Sequence, residues 1–166
     1  MKNGEVYSWG NNEHGQCGTG KEPFQQMIQW GPQMVKFDTY HNPMISQINT
    51  GAAHSAFVDE IGRLFLCGRG ESGQLGNMSY TDETLPYFVQ KIPDKVLEVA
   101  CGEDHTVVVT KSQGEVYVMG SNQRGQLGIG GPSRGTNVPV LLAELSFTKI
   151  VKVRAGAFSA GLSMDQ

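Results

Sequence analysis

The sequence lacks the long apolar run and the basic excess that would each assign a class of protein at once. No apolar stretch approaches the roughly 18 residues of a membrane helix, and the first residues carry no apolar signal segment. Lysine and arginine number 13 against 16 aspartates and glutamates, a net charge of −3 that disfavours binding to phosphates of nucleic acid. We therefore expect no membrane insertion, no nucleic-acid partner and an intracellular, cytoplasmic location, with the nucleus, the cilium or cytoskeleton and the mitochondrion left open.

Motifs for bond-making chemistry are also missing. There is no Gly-x-Ser-x-Gly, no Cys/His dyad and no Walker loop. Gly68–Gly73 matches Gly-x-Gly-x-x-Gly, but Gln74-Leu-Gly76 follows it instead of the helix that a phosphate site requires. The acidic pairs Asp59-Glu60 and Asp82-Glu83 show no partner geometry for paired-carboxylate catalysis, so we predict that they lie in solvated loops. We expect no enzyme activity, no catalytic residue, no cofactor and no metal.

What the sequence does contain is a block of fifteen residues that occurs three times without a gap, at Gly4–Gly18, Gly62–Gly76 and Gly114–Gly128. A period of about 50 residues indicates a repeat architecture. We interpret its recurring glycines as positions of positive φ and close backbone approach, and its glutamines as amides that bond loop backbone. These structural motif residues are Gly10, Gly15, Gln16, Gly18, Gly68, Gly73, Gln74, Gly76, Gly120, Gly125, Gln126 and Gly128.

A second block precedes the later copies and contains His54 and His105, with Ser159 in the third copy. In one unit we predict four strands: near 96–100, His105–Val109, Glu115–Met119 and near Val138–Leu142. The third strand is apolar on both faces, with Val116 and Val118 on one side and Tyr117 and Met119 on the other. Such a strand fits sheets stacked face to face, which is the packing of a β-propeller.

Equivalent positions in the units suggest further local structure. Asn12, Gly70 and Asn122 share one position, for which we predict positive φ because Asn and Gly tolerate it best. The three cysteines replace small or apolar residues of other units, so we predict buried free thiols. Both repeat histidines are predicted to be buried and hydrogen-bonded, too far apart to share an ion. The final strand of the first unit is predicted at Met34–Phe37.

These residues resemble the regulator of chromosome condensation repeat. Its Gly-x-Val-Tyr-x-Trp-Gly strand is seen at Gly4–Gly10, its Gly-Gln-Leu-Gly turn at Gly73–Gly76, and its Val-x-Cys-Gly-x-x-His-Thr pair at Val99–Thr106. The resemblance implies a propeller of four-stranded blades, seven in the best-known members. It also implies one of three roles: nucleotide exchange on a small Ran-like GTPase, chromatin binding, or service as an interaction module.

The phase of the repeat predicts an all-β partial propeller over residues 1–166, in units that start near Gly4, Gly62 and Gly114. Two blades are whole and two are halves, which leaves the ring open or completed by another chain. A second copy could complete six blades, a different chain or the remainder of a longer gene product could supply the rest, or the arc could cap a larger complex. We therefore predict that the chain is not an isolated monomer.

The longest irregular stretch, from Thr19 to Pro43, holds Phe24, Met27 and Trp30, which are either packed within the loop or a candidate interface. The leading functional prediction is a non-enzymatic scaffold or protein–protein interaction module, a subunit or part of a larger assembly. Guanine-nucleotide exchange on a small Ran-like GTPase is the alternative, and chromatin binding is the third.

Overall fold

A computed structural model describes residues 4–22, 24–37, 43–131 and 133–164. His41 and Tyr40 of the predicted irregular stretch lie outside the described residues. The described part contains twelve strands and one short 3-10 turn at Ala143–Leu145, and no helix in it is long and apolar enough to span a membrane. The strands are β1 Tyr7–Asn11, β2 Ile28–Met34, β3 Ile45–Thr50, β4 His54–Asp59, β5 Leu64–Gly68, β6 Glu83–Phe88, β7 Val96–Cys101, β8 His105–Thr110, β9 Val116–Ser121, β10 Gly135–Leu141, β11 Ile150–Ala155 and β12 Ala160–Met164.

The strands form four antiparallel sheets in chain order. Strands β3 to β6 make one four-stranded sheet and β7 to β10 make another, while β1 pairs with β2 and β11 with β12. Each neighbour in a sheet is also the neighbour in sequence, as in a meander of hairpins. Two whole blades flanked by two half-blades were predicted from the phase of the repeat, and the all-β partial propeller is confirmed.

The central hairpins are in the same register in both complete sheets. Ala56 lies opposite Leu66 in one, and Val107 lies opposite Val118 in the other. A tight turn closes each hairpin, and in the first of them the buried Asp59 carboxylate accepts a bond from the Arg63 backbone at 2.8 Å. Equivalent sequence positions therefore occupy equivalent places in successive blades.

The predicted place of the final strand in the first unit was wrong. We expected Met34–Phe37, whereas β2 runs Ile28–Met34 and pairs Met34 with Tyr7 and Ile28 with Asn11. The segment before Met34 is rich in polar residues and contains glycine and proline, a composition typical of loops. An outermost strand tolerates glycine and Pro32 because one of its edges needs no partner in the sheet.

Three apolar cores lie between the sheets. Strand β9 contributes to two of them: Val116 and Val118 pack toward β11, whereas Tyr117 and Met119 pack toward the sheet of β3 to β6. All four side chains are buried, which confirms the predicted two-faced strand. Because the cores lie between blades and not inside one, each blade depends on its neighbours for stability.

Candidate interaction face

The glycine-rich loops after β1, β5 and β9 come together at one end of the blades. We call the described residues of 12–27, 69–82 and 122–134 the loop face. His14 of the first loop bonds Asp82 of the second at 2.8 Å, and the guanidinium of Arg134 in the third lies 5.5 Å from the centre of the Tyr80 ring. Side chains of three successive blades therefore form one continuous surface.

The repeated glutamine gives each loop its shape. The Oε1 atoms of Gln16, Gln74 and Gln126 each accept the backbone N–H two residues earlier, at 2.9, 3.0 and 2.9 Å. Gln74 is completely buried, so its amide lies inside the loop and satisfies backbone that solvent cannot reach. One side chain thus holds the same turn in all three loops.

The prediction of positive φ at Asn12, Gly70 and Asn122 was wrong, since none of the three adopts it. The asparagines are selected for their amides instead: the Oδ1 atoms of Asn12 and Asn122 accept N–H bonds at 3.1 Å from the residues five positions later. At Gly70 a β-carbon would lie 1.9 Å from the carbonyl oxygen of Thr81, so close backbone contact excludes a side chain.

The nine motif glycines do adopt positive φ, and the next blade closes over several of them. A β-carbon on Gly15 would lie 2.6 Å from the Cα atom of Thr84, and one on Gly73 would lie 2.6 Å from the carbonyl oxygen of Thr136. Both contacting residues belong to the outermost strand of the following blade. The positive φ angles are those of Gly10, Gly15, Gly18, Gly68, Gly73, Gly76, Gly120, Gly125 and Gly128.

Charged side chains cross between blades at the loop face. Arg69 bonds Glu71 at 2.6 Å and lies 3.5 Å from Asp104 of the following blade. The hydrogen bond to Glu71 raises the pKa of Arg69, burial opposes this effect, and the charge of Asp104 adds a smaller increase. Arg124 lies 5.5 Å from the centre of the Phe158 ring. The face presents fixed charges of both signs, which suits recognition of a protein surface.

His54 is part of a buried chain of hydrogen bonds between blades. Thr106 Oγ1 donates to the carbonyl of Gln74 at 2.8 Å, so His54 Nε2 must donate to the same hydroxyl at 3.0 Å. Burial, with a smaller effect of His105, lowers the pKa of His54 to about 4. This histidine is a neutral structural donor.

His105 occupies the equivalent place one blade later, but its neighbour differs. Ala160 stands where the previous blade has Thr106, and among the described residues neither ring nitrogen of His105 has a partner at hydrogen-bonding geometry. Burial lowers the pKa of His105, and the nearby backbone of Ser159 and the charge of Asp104 oppose that effect. The predicted hydrogen-bonded state therefore applies to His54 and not to His105.

The prediction of a solvated loop was wrong for Asp59, which is buried and bonds Arg63 at 2.6 Å.

The cysteines form no chemical centre. Cys17, Cys67 and Cys101 are free and buried, and burial raises the pKa of each thiol. In the part of the chain that the structure describes, no three His, Cys, Asp or Glu side chains are grouped to hold a metal ion. Thiols with raised pKa values are poor nucleophiles because little thiolate is present near neutral pH.

The candidate interface residues are exposed, at 83% for Phe24 and 54% for Met27 in the first loop and 86% for Trp30 on β2. Sequence reasoning missed Tyr7 and Trp9 on β1, which are 51% and 66% exposed. A partial signal was the repeat alignment, in which the positions of Tyr7 and Trp9 are apolar in every unit.

Comparison with known proteins agrees with this geometry. The regulator of chromosome condensation (RCC1) repeat matches residues 3–58, 62–109 and 113–161. The chain is 37% identical over 171 aligned residues to human E3 ubiquitin-protein ligase HERC2, covering 98% of this chain and 3% of that protein. It is 36% identical to the secretion-regulating guanine nucleotide exchange factor of Bos taurus over 91% of this chain and 31% of that protein.

Solved structures show the same architecture. Prp20p from Saccharomyces cerevisiae, studied for its binding to Gsp1p and histones, superposes with a TM-score of 0.82 at 24% identity, over 98% of this chain and 40% of Prp20p. Human WBSCR16 superposes with a TM-score of 0.81 at 25% identity, over 95% of this chain and 39% of that protein. This chain spans less than half the length of each of these relatives. Because the repeat model matches nearly its whole length, the chain belongs to the regulator of chromosome condensation (RCC1) repeat family.

Proposed function

We propose that the chain is a non-enzymatic protein–protein interaction module of a larger assembly, and that it binds its partner through the loop face. The observation that carries this proposal is the continuity of that face, where His14 bonds Asp82 and the guanidinium of Arg134 lies 5.5 Å from the centre of the Tyr80 ring. A surface held by such contacts is ordered before binding, so less entropy is lost when a partner docks.

The relatives support an interaction role, because they do not share a single enzymatic activity. They include E3 ligases, of which the chain covers only 3% to 14%, and an exchange factor. The exposed mixture of charge and aromatic side chains on the loop face suits a protein partner better than the phosphates of nucleic acid, given the net charge of −3.

The test compares charge reversal at the two ends of the blades. Glu71→Arg changes the loop face and repels Arg69, whereas Glu60→Arg alters an exposed turn at the opposite end of the same sheet. Cross-linking mass spectrometry on the assembled complex, with affinity of the identified partner measured for each variant, should place the partner at 12–27, 69–82 and 122–134. We expect Glu71→Arg to weaken binding by about tenfold and Glu60→Arg to leave it unchanged. Equal effects, or cross-links confined to the opposite end, would refute the proposal.

Nucleotide exchange on a small Ran-like GTPase is the second candidate. The 36% identity to an exchange factor over 91% of this chain favours it. An exchange factor stabilises the nucleotide-free state of its GTPase and needs a binding face more than a catalytic residue. Release of fluorescent GDP from a panel of GTPases, with Glu71→Arg and Glu60→Arg alongside, distinguishes the candidates: acceleration that Glu71→Arg alone removes would establish exchange, and no acceleration supports the interaction module.

A further inference from the structure

The two junctions between neighbouring glycine-rich loops differ in what fills them. Between the first and second loops, His14 bonds one oxygen of Asp82 at 2.8 Å, and the other Asp82 oxygen accepts the Gly70 N–H at 2.9 Å. Between the second and third loops, Ser72 stands at the place of His14 and Gly135 at the place of Asp82. The second junction, which lies between the two complete blades, therefore lacks the pair that fills the first.

A groove of about 440 Å³ remains at the second junction, and we call it the loop groove. Gly135 cannot supply a side chain to this junction, because it has a φ of 110° and a β-carbon there would collide with the carbonyl oxygen of Gly120. The groove is lined by Glu71, Ser72, Tyr80, Gln123 and Arg134.

The guanidinium in the loop groove has no carboxylate partner among the described residues, unlike three other arginines of the chain. Arg63, Arg69 and Arg154 each bond a carboxylate at 2.6 Å. Arg134 instead lies 5.5 Å from the centre of the Tyr80 ring. A ring that stacks on the guanidinium covers its flat face and leaves the N–H groups at its edge free to bond a ligand.

The charges around the loop groove favour an anion. Glu71 supplies a carboxylate to the groove, but its Oε2 atom already accepts two N–H bonds from Arg69, at 3.0 and 2.6 Å. The third loop, residues 122–134, contains two arginines and neither aspartate nor glutamate. The Ser72 hydroxyl and the Gln123 amide add neutral donors. The charge that is left without a partner in the groove is therefore positive.

We infer that the loop groove binds the carboxylate of an aspartate or glutamate side chain of the partner protein, and that Arg134 determines this specificity. A guanidinium donates two parallel N–H bonds to a planar carboxylate. The Tyr80 ring restrains the arginine before binding, so less entropy is lost when the partner docks. This inference rests on the proposed function, because it names the chemistry that the loop face recognises in its partner.

The test is a titration of the ¹⁵N-labelled full chain with hexaglutamate, a peptide with blocked ends, followed by nuclear magnetic resonance. The Nε–H resonance of Arg134 and the backbone resonances of Ser72 and Gln123 should shift, with a dissociation constant on the order of 1 mM. Hexaserine, the neutral peptide of equal length, should shift none of them. Inorganic phosphate is the third probe and should bind more weakly than hexaglutamate.

Three variants test the role of the guanidinium. Arg134→Gln should weaken hexaglutamate binding by about tenfold, because it removes the charged donors. Arg134→Lys keeps the charge and loses the two parallel donors, so it should weaken binding by about threefold. Lys91→Gln is the matched control, since it removes one positive charge from an exposed turn at the opposite end of the blades, and it should leave binding unchanged.

Equal shifts with hexaserine, tighter binding of inorganic phosphate than of hexaglutamate, or full binding by Arg134→Gln would each overturn the inference. The partner identified by cross-linking should also lose about tenfold in affinity for Arg134→Gln. A partner that is cross-linked at the loop face and binds Arg134→Gln normally would overturn this inference alone.

Glu71→Arg separates this inference from the proposed function. It should weaken docking of the whole partner, because Arg69 loses the carboxylate that holds it. It should not weaken binding of hexaglutamate, since the peptide contacts the loop groove through Arg134 and the variant adds positive charge there. Weaker hexaglutamate binding by Glu71→Arg would count against the inference, whereas an unchanged affinity for the partner would count against the proposed function.

Discussion

Two interfaces between blades use the same sequence positions and differ in how completely they are closed. The first, between the sheet of β3 to β6 and that of β7 to β10, we call the closed interface; the second, between the sheet of β7 to β10 and the pair β11 and β12, we call the open interface. At the closed interface Thr106 links His54 to Gln74. At the open interface Ala160 takes the place of that threonine and His105 has no such link.

The comparison teaches that a repeat position acquires its role from the neighbouring blade. Gly73 and Gly125 have nearly the same φ, 86° and 75°, yet only Gly73 is covered by the next outermost strand. Glycine is therefore required at Gly73 both for positive φ and for close contact with the next blade, whereas at Gly125 it is required for positive φ alone.

The largest expected effect separates those two reasons. Gly73→Ala should lower the free energy of unfolding by about 4 kcal/mol, because strain at positive φ adds to a clash with Thr136. Gly125→Ala is the matched control and should cost about 1 kcal/mol, from φ strain alone. Urea unfolding measures both free energies. Equal losses would show that β10 does not close over the second loop.

Acid should weaken the closed interface through protonation of the buried His54. The pKa of His54 falls from 6.5 to about 4 on folding, so the unfolded chain takes up the proton first as the pH drops. Above pH 6.5 protonation of His54 does not affect the free energy of unfolding. As the pH falls from 6.5 to about 4, that free energy should decrease by about 3 kcal/mol. Denaturant midpoints measured against pH for wild type and His54→Gln test this expectation. A slope unchanged in His54→Gln would contradict it.

Removing the linking hydroxyl should weaken the closed interface. Thr106→Val leaves a buried donor on His54 and the carbonyl of Gln74 without partners, which should cost about 2 kcal/mol. Thr106→Ser retains the hydroxyl and is the control, with a loss near that of one methyl group. The reverse change, Ala160→Thr, supplies the missing hydroxyl beside His105 and should stabilise the open interface by about 1 kcal/mol. Thermal unfolding of the three variants measures these changes. Equal melting temperatures of Thr106→Val and Thr106→Ser would contradict the expectation.

The smallest expected effect concerns the one described non-glycine residue with positive φ. Met78, at 64°, is equivalent to Gly20 and Gly130, which adopt 70° and 75°. Met78→Gly should relieve the strain and raise the stability by about 1 kcal/mol, since the methionine is largely exposed and little burial is lost. Met78→Ala keeps the β-carbon and is expected to give no gain. Chemical denaturation compares them, and equal stability of the two variants would rule out strain at this position.

The repeat predicted the fold well because the period places apolar residues on both sides of the same strand in each unit. Val118 and Met119 could be assigned to opposite cores from the sequence alone. The bounds of the final strand of the first unit could not be predicted from the sequence. Gly31 and Pro32 are weak strand formers, and only pairing with β1 imposes the extended conformation. The φ prediction at Asn12 failed for a different reason: asparagine was chosen for its amide and not for its backbone freedom.

The candidate interaction face was only partly accessible to sequence reasoning. The glutamine at 16, 74 and 126 could be interpreted as a loop amide because it recurs between two glycines. The pairing of His14 with Asp82 could not, since the two residues lie in different units and no periodicity relates them. Exposure of Trp9 depends on what stands beside the first blade, which a single unit does not encode.

The hydroxyl of Thr106 has a consequence for exchanging repeats between positions or proteins. The donor that it receives and the carbonyl that it bonds both belong to the preceding blade, so a unit carries only one side of this contact. The histidine and the hydroxyl that it bonds lie 52 residues apart in the chain. Transplanting a repeat by itself therefore creates a mismatched junction at each end of the graft, unless the host blades carry the matching partners. Recombination in this architecture should respect pairs of neighbours and not single units.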